Sequence, residues 1–236
     1  MKLAIITGGS RGLGQALTEH FTEQADWQAV ELSRSGNHEH HLHCDLSDPA
    51  MVQTLVEEQF SALAIQPWDE VVLISNAAVL LPISRVEQLT AEQIHDHIVT
   101  NQISVFTLIS GFMKAFRDNP IPKTIINVSS GAAGKGYAGW SLYCASKAAC
   151  ENFIAALIAG ETEQSWPFTA VNYDPGVMDT RMQADIRASS KTQFPDLERF
   201  QAFKQDDVLR APEVVARDLV DKITLGLKSG SRYSVS

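Results

Sequence analysis

Cysteine is scarce in this chain: three residues, Cys44, Cys144 and Cys150, among 236. The number is odd and the spacings fit neither a zinc site nor a redox pair, so reduced thiols in a cytoplasmic protein are the expectation. Glycine and proline are modest, at 14 and 9 residues, which excludes collagen-like and low-complexity classes. Basic residues are outnumbered, with 19 Lys+Arg against 28 Asp+Glu and a formal net charge of -9. That balance argues against nucleic acid or an anionic membrane as the main partner; a polyanionic ligand must be held by local charge. No apolar run approaches the roughly 18 residues of a spanning helix. The apolar start, Met1 to Ile6, meets Gly8 and Gly9 too soon to be a signal peptide. No repeat or interdomain linker interrupts the chain.

What is present is an ordinary globular composition, 44% hydrophobic and 20% charged. Short apolar runs at Leu3–Ile6, Gln28–Leu32, His41–Cys44, Val71–Ile74, Thr124–Val128 and Phe168–Tyr173 read as strands. Helical patterns lie between them, at Leu13–Phe21, Ala50–Leu63, Ala91–Phe116 and Tyr143–Thr162, with a last helix at Ala211–Leu227. Arg232–Val235 reads as a closing edge strand. Strands alternating with helices predict an α/β fold, a doubly wound parallel sheet with helices on both faces, as one domain over 1–236. The stretch Val177–Asp207 is too long for a bland connection. It is expected to hold short helices or a mobile lid covering a substrate.

Ligands of such sheets sit at the carboxyl ends of the strands. There the first strand runs into Thr7-Gly8-Gly9-Ser10-Arg11-Gly12-Leu13-Gly14. Glycines at 8, 12 and 14 allow a tight turn and leave backbone bare for a pyrophosphate, facing the amide end of the next helix. The Lys-Ser/Thr of a nucleotide-hydrolase loop is absent. An NAD site usually carries an acid at the end of the second strand, but Ser33 and Arg34 stand there, with Arg11 in the loop. These groups suit a 2′-phosphate, so the predicted cofactor is NADP(H). Glu31 dissents, although two residues earlier on the same strand face it points further back.

Tyr143 and Lys147, four apart on a helix, share one face. A phenol titrates near pH 10, and a nearby ammonium favours its ionised form. Ser130 follows the strand Thr124–Val128, where its hydroxyl can meet a carbonyl oxygen gaining negative charge.

Together, the glycine loop, Ser130 and Tyr143-x-x-x-Lys147 resemble the short-chain dehydrogenase/reductase family over essentially the whole chain. Thr7 to Gly14 matches its TGxxxGxG motif. Asn76-Ala77-Ala78 is similar to its NAG motif, with Ala in place of Gly, and Asp174-Pro175-Gly176 with Thr180 is similar to its segment over the nicotinamide. The resemblance implies that Tyr143 donates a proton to a carbonyl as hydride arrives, that Lys147 lowers the tyrosine pKa and binds the nicotinamide ribose, and that Ser130 steadies the carbonyl. It implies that Asn101 holds a water linking Lys147 to solvent, and that Asp45, with Leu46 beside it, meets the adenine. Thr180 and the backbone near Val177 would anchor the carboxamide. It also implies a homodimer, or a tetramer, with Ile103, Phe106, Phe153 and Ile154 contributing to the interface.

Within the family, Asn172 to Gln183 is similar to the same run in reductases of sepiapterin and benzil. The pterin-binding branch carries an Asp where Ser234 stands, which favours a diketone or another apolar carbonyl. Met178, Met182, Phe194 and Trp140 are the candidate pocket residues. The rival readings are a 3-oxoacyl thioester reductase, disfavoured by the acidic charge, and a non-catalytic NADP(H) sensor, disfavoured by the presence of both Tyr143 and Lys147. His38, His40, His41 and His43 lack a fixed ligand geometry, and no metal is expected.

Overall fold

The computed structural model describes residues 1–236. Seven parallel strands form one sheet in the order β3-β2-β1-β4-β5-β6-β7. They are β1 (Lys2–Thr7), β2 (Trp27–Ser33), β3 (His41–His43), β4 (Glu70–Ser75), β5 (Lys123–Val128), β6 (Thr169–Asp174) and β7 (Arg232–Ser234). The helices are α1 (Gly12–Thr22), α2 (Pro49–Leu55), α3 (Ser61–Ala64), α4 (Ala91–Ile98), α5 (Ser104–Phe116), α6 (Ser141–Glu161), α7 (Arg181–Arg187), α8 (Leu197–Gln205) and α9 (Pro212–Leu225). The strand order reverses between β1 and β4, so a crevice opens where their carboxyl ends diverge.

Successive side chains of a strand point to opposite faces, and a sheet covered on both faces must therefore be apolar at every position. On β1, Leu3 and Ile5 join the core under α2, α5 and α6, while Ala4 and Ile6 join the core under α1 and α9. Phe112, with no exposed surface, anchors the first core; its truncation to Ala would cost about 3–5 kcal/mol.

The helix expected over Ala50–Leu63 begins at Pro49, where the Asp48 carboxylate accepts from the Ala50 and Met51 amides at 3.0 and 3.1 Å. It passes through a π turn at Val56–Phe60 before α3. The long helix expected over Ala91–Phe116 likewise carries a π turn, at Val99–Ile103, between α4 and α5. These two helical runs cross closely, since a Cβ on Gly111 would lie 2.0 Å from Val56 Cγ1. The last helix stops at Leu225, two residues before the expected end, because Gly226 turns the chain at φ +92°.

Two expectations are corrected. The helix Ser141–Glu161 does have the length and mean hydropathy, 1.2, of a spanning segment. It nonetheless carries the buried Lys147 and packs along β5 and β6. Ile154, expected at a subunit surface, points into the core at 1% exposure, while its neighbour Phe153 is half-buried against the same core. The stretch Val177–Asp207 holds α7 and α8.

Candidate active site

Backbone geometry explains the glycine loop. Gly8 and Gly12 have φ of +72° and +55°, and a Cβ on Gly14 would stand 2.1 Å from the Gly8 carbonyl oxygen. Helix α1 starts at Gly12 with no side-chain cap from Arg11, leaving its first amides free to meet an anion. Thr7 holds the ends of β1 and β4 together: its hydroxyl oxygen accepts from the Asn76 and Ala77 amides, each at 2.9 Å, and Asn76 Nδ2 donates to its carbonyl at 2.9 Å.

Above this junction runs a cleft of about 890 Å³. Gly8, Ser10, Arg11, Gly12 and Leu13 line one end, Ser33, Arg34, Asp45 and Leu46 a second side. Asn76, Ala77, Ala78, Tyr143, Lys147, Pro175 and Thr180 line the remainder. Gly14 lies beneath the loop instead, and Gly176, Val177 and Ser130 line an adjoining cavity. Burial opposes ionisation of Asp45, yet the Ser47 amide and hydroxyl, at 2.9 and 2.7 Å, with Arg34 and His43 nearby, hold its carboxyl below the usual range. Glu31 is absent from the cleft wall. It is buried behind Gly9, where a Cβ would meet its Cγ at 2.2 Å, and it pairs with His41 Nδ1. Arg181, which follows Thr180 at the head of α7, also lines the cleft; no periodic pattern marked it in the sequence.

One turn apart on α6, Tyr143 and Lys147 are both buried. Burial pushes the Tyr143 phenol up to about 12, against a hydrogen bond with Ser130 that favours ionisation; the Asp174 carboxylate and Cys144 add to the rise. Lys147 lies one turn further along the helix. Its Nζ donates to the Val128 carbonyl at 2.7 Å and stands 5.8 Å from the tyrosine ring centroid, and burial holds its pKa below the usual lysine range. In the chain alone the phenol is thus an acid with its proton in place.

Asn101 lies in the π turn at Val99–Ile103. Its Oδ1 accepts from the Val79 amide at 2.9 Å, and its Nδ2 donates to the Val79 carbonyl at 2.7 Å. Its own backbone carbonyl accepts from the Cys150 thiol at 3.4 Å. The sequence reading passed over His97, one turn before Asn101 and equally buried. Its Nδ1 must donate to the Leu81 carbonyl (3.0 Å), which leaves Nε2 to accept from Asn101 Nδ2 (2.9 Å). Burial lowers its pKa, consistent with that neutral ring.

The adjoining cavity, about 210 Å³, contains Ser130 and Tyr143 and shares Leu80, Pro175, Met178, Thr180 and Met182 with the cleft. Of the four candidate pocket residues, Met178, Met182 and Trp140 line it. Phe194 does not: it is fully buried behind Trp140, with ring centroids 4.6 Å apart and nearly parallel. Phe200, Tyr137 and Gln183 also line it. Trp140 Nε1 and Gln183 Oε1 are buried without a hydrogen-bond partner. Ser234 is not part of the cavity, whereas Asp174 is.

A family model described as short chain dehydrogenase matches residues 2–191. The chain belongs to the short-chain dehydrogenase/reductase family. This short-chain dehydrogenase/reductase is 32% identical to benzil reductase ((S)-benzoin forming) of Bacillus subtilis (strain 168), over 100% of this chain and 98% of that protein. It is 31% identical to sepiapterin reductase of Mus musculus, over 88% and 85% of the two chains. The crystal structure of the KRED1-Pglu enzyme superposes with a TM-score of 0.82 at 30% identity, covering 99% of this chain and 100% of that one. The chain is therefore an oxidoreductase of the NAD(P)(H)-using kind, similar to enzymes that act on carbonyl and alcohol groups.

Proposed function

We propose that this protein is an NADPH-dependent carbonyl reductase converting a ketone or 1,2-diketone into a secondary alcohol. The observation that carries the reading is the placement of Tyr143, with Ser130 in the same cavity wall, at the join between a dinucleotide-sized cleft and a mostly apolar cavity. The glycine cradle and free α1 amides fit a pyrophosphate, and Ser33, Arg34 and Arg11 suit a 2′-phosphate, with Glu31 turned away. When bound there, the reduced nicotinamide supplies the hydride.

Tyr143 gives its hydroxyl proton to the carbonyl oxygen, and Ser130 donates a hydrogen bond to that oxygen as charge builds. Lys147, whose Nζ stands 5.8 Å from the Tyr143 ring centroid, would hold the nicotinamide ribose. Asn101 acts through Val79, fixing the wall on which the cofactor rests. Pro175, Gly176, Val177 and Thr180 would hold the carboxamide.

A homodimer fits the outward face of α6, where Ala145, Ala148, Ala155, Ala156 and Ala159 are exposed and Phe153 stacks on Phe106 of α5 at 4.2 Å. Ile103 adds an apolar side chain 44% exposed. Three free cysteines suit a cytoplasmic setting.

The test is oxidation of NADPH, with NADH in parallel, in the presence of benzil, sepiapterin or an acetoacetyl thioester. Turnover of benzil with NADPH is the expected result. Turnover of the thioester alone would overturn the substrate reading, and stoichiometric NADPH binding without turnover of any carbonyl would favour the sensor.

A further inference from the structure

One guanidinium reaches three elements of the active site from the last strand. Arg232 on β7 donates through Nε to Glu151 Oε1 at 2.9 Å, and through Nη2 to Asp174 Oδ2 at 3.0 Å and to the Ser130 carbonyl at 3.2 Å. Glu151 stands one turn beyond Lys147 on α6 and also accepts from the Ser129 hydroxyl. Asp174 lies in the cavity wall, where its other oxygen accepts from the Gly176 amide at 3.0 Å. The Ser130 carbonyl has a second donor, the Ala133 amide at 3.0 Å.

Building on the carbonyl-reductase reading, we propose that Arg232 is a positioning residue for catalysis, locking Ser130, Asp174 and Glu151 into one unit and neutralising the two carboxylates beside Tyr143 and Lys147. The titratable groups facing Tyr143 are Lys147, Cys144 and Asp174; those facing Lys147 are Cys150, Glu151 and Asp174. Arg232 is the cation that meets both of the carboxylates. At 41% side-chain exposure its ion pairs contribute little to stability. Their effect lies in geometry and field. The Ser130 hydroxyl accepts from the Ala132 amide at 3.1 Å, and the carbonyl of the same residue is held by Arg232 and the Ala133 amide. Without the guanidinium, an uncompensated Asp174 charge would disfavour the phenolate that proton transfer creates.

The experiment compares Arg232→Gln, Arg232→Lys and, as a control, Arg117→Gln, whose guanidinium grips Glu161 away from the site. Rates of NADPH-dependent reduction and the pH profile of NADP⁺-dependent alcohol oxidation are measured for each, with amide hydrogen exchange at Ala132 and Ala133. Arg232→Gln should lower kcat by roughly ten-fold or more, leaving the KM for NADPH unchanged. It should also move the alkaline limb of oxidation upward by on the order of half a pH unit. Arg232→Lys should restore the limb but only part of kcat, since an ammonium brings the charge without the fork. Arg117→Gln should lower Tm and leave the limb in place. Wild-type kcat and limb in Arg232→Gln, or an equal shift of the limb in Arg117→Gln, would overturn the proposal. Should the wild type reduce no carbonyl, the reductase reading fails by itself. Faster exchange at Ala133 in Arg232→Gln would still support the lock, and unchanged exchange would overturn it.

Discussion

Asn101 grips Val79 by both backbone groups, its Oδ1 accepting from the amide at 2.9 Å and its Nδ2 donating to the carbonyl at 2.7 Å. The segment after β4 has no strand neighbour at that point, so this amide replaces the missing ladder. Asn101→Ala would strand the Val79 amide and carbonyl and His97 Nε2 together. A loss of about 3 kcal/mol follows from the cost of unmade buried hydrogen bonds. Thermal unfolding should show a Tm lower by several degrees, and turnover should fall with it; a Tm within a degree of wild type would refute the clamp.

Tyr143→Phe removes the proton donor and keeps the ring that Trp140 meets edge-on at 6.1 Å between centroids. NADPH affinity, read by fluorescence titration, should be retained, while carbonyl reduction falls by about 10²–10⁴-fold. Full activity in this variant would sink the mechanism.

The pH dependence follows from the raised Tyr143 pKa, about 12 in the chain alone. A phenol raised in this way keeps its proton through neutral pH, so reduction should not lose its acid there. Alcohol oxidation needs the phenolate and should climb through the alkaline range. An oxidation profile that peaks at or below neutrality would show that another group is the base.

Arg34→Asp tests the cofactor choice. Replacing a guanidinium at the end of β2 with a carboxylate should raise the KM for NADPH by roughly ten- to hundred-fold and leave that for NADH little changed. Equal effects on both cofactors would mean that a 2′-phosphate is read elsewhere, with Arg11 the first place to look.

Phe153→Asp tests the assembly. The stacked pair of Phe106 and Phe153 lies on the apolar flank of α5 and α6, and a carboxylate there should convert the proposed dimer into a monomer in sedimentation analysis. An unchanged sedimentation coefficient would place the interface on another surface.

Much of this site is legible in the chain because its signals are local. The glycine turn sits at the end of an apolar strand, and Tyr143 and Lys147 share a helix face by spacing alone. The π turns are not legible, since an extra residue in a helical turn depends on packing such as Val56 against Gly111. The same holds for Phe194 and Phe200: in a stretch without period, nothing tells which ring faces the cavity and which backs Trp140. Arg232 and Asp174 meet across 58 positions, beyond any local pattern.

The stretch Val177–Asp207 is fastened at two places. Near its start, Val177 and Asp179 exchange hydrogen bonds with Arg210 at 3.1 and 2.9 Å. Further along, the Gln193 carbonyl lies so close to Gly139, at φ +89°, that a Cβ there would be 2.2 Å from the oxygen. A piece fenced in this way behaves as a cassette. Because its Met178, Thr180 and Met182 line both the cleft and the adjoining cavity, exchanging it for that of a relative would alter the two together.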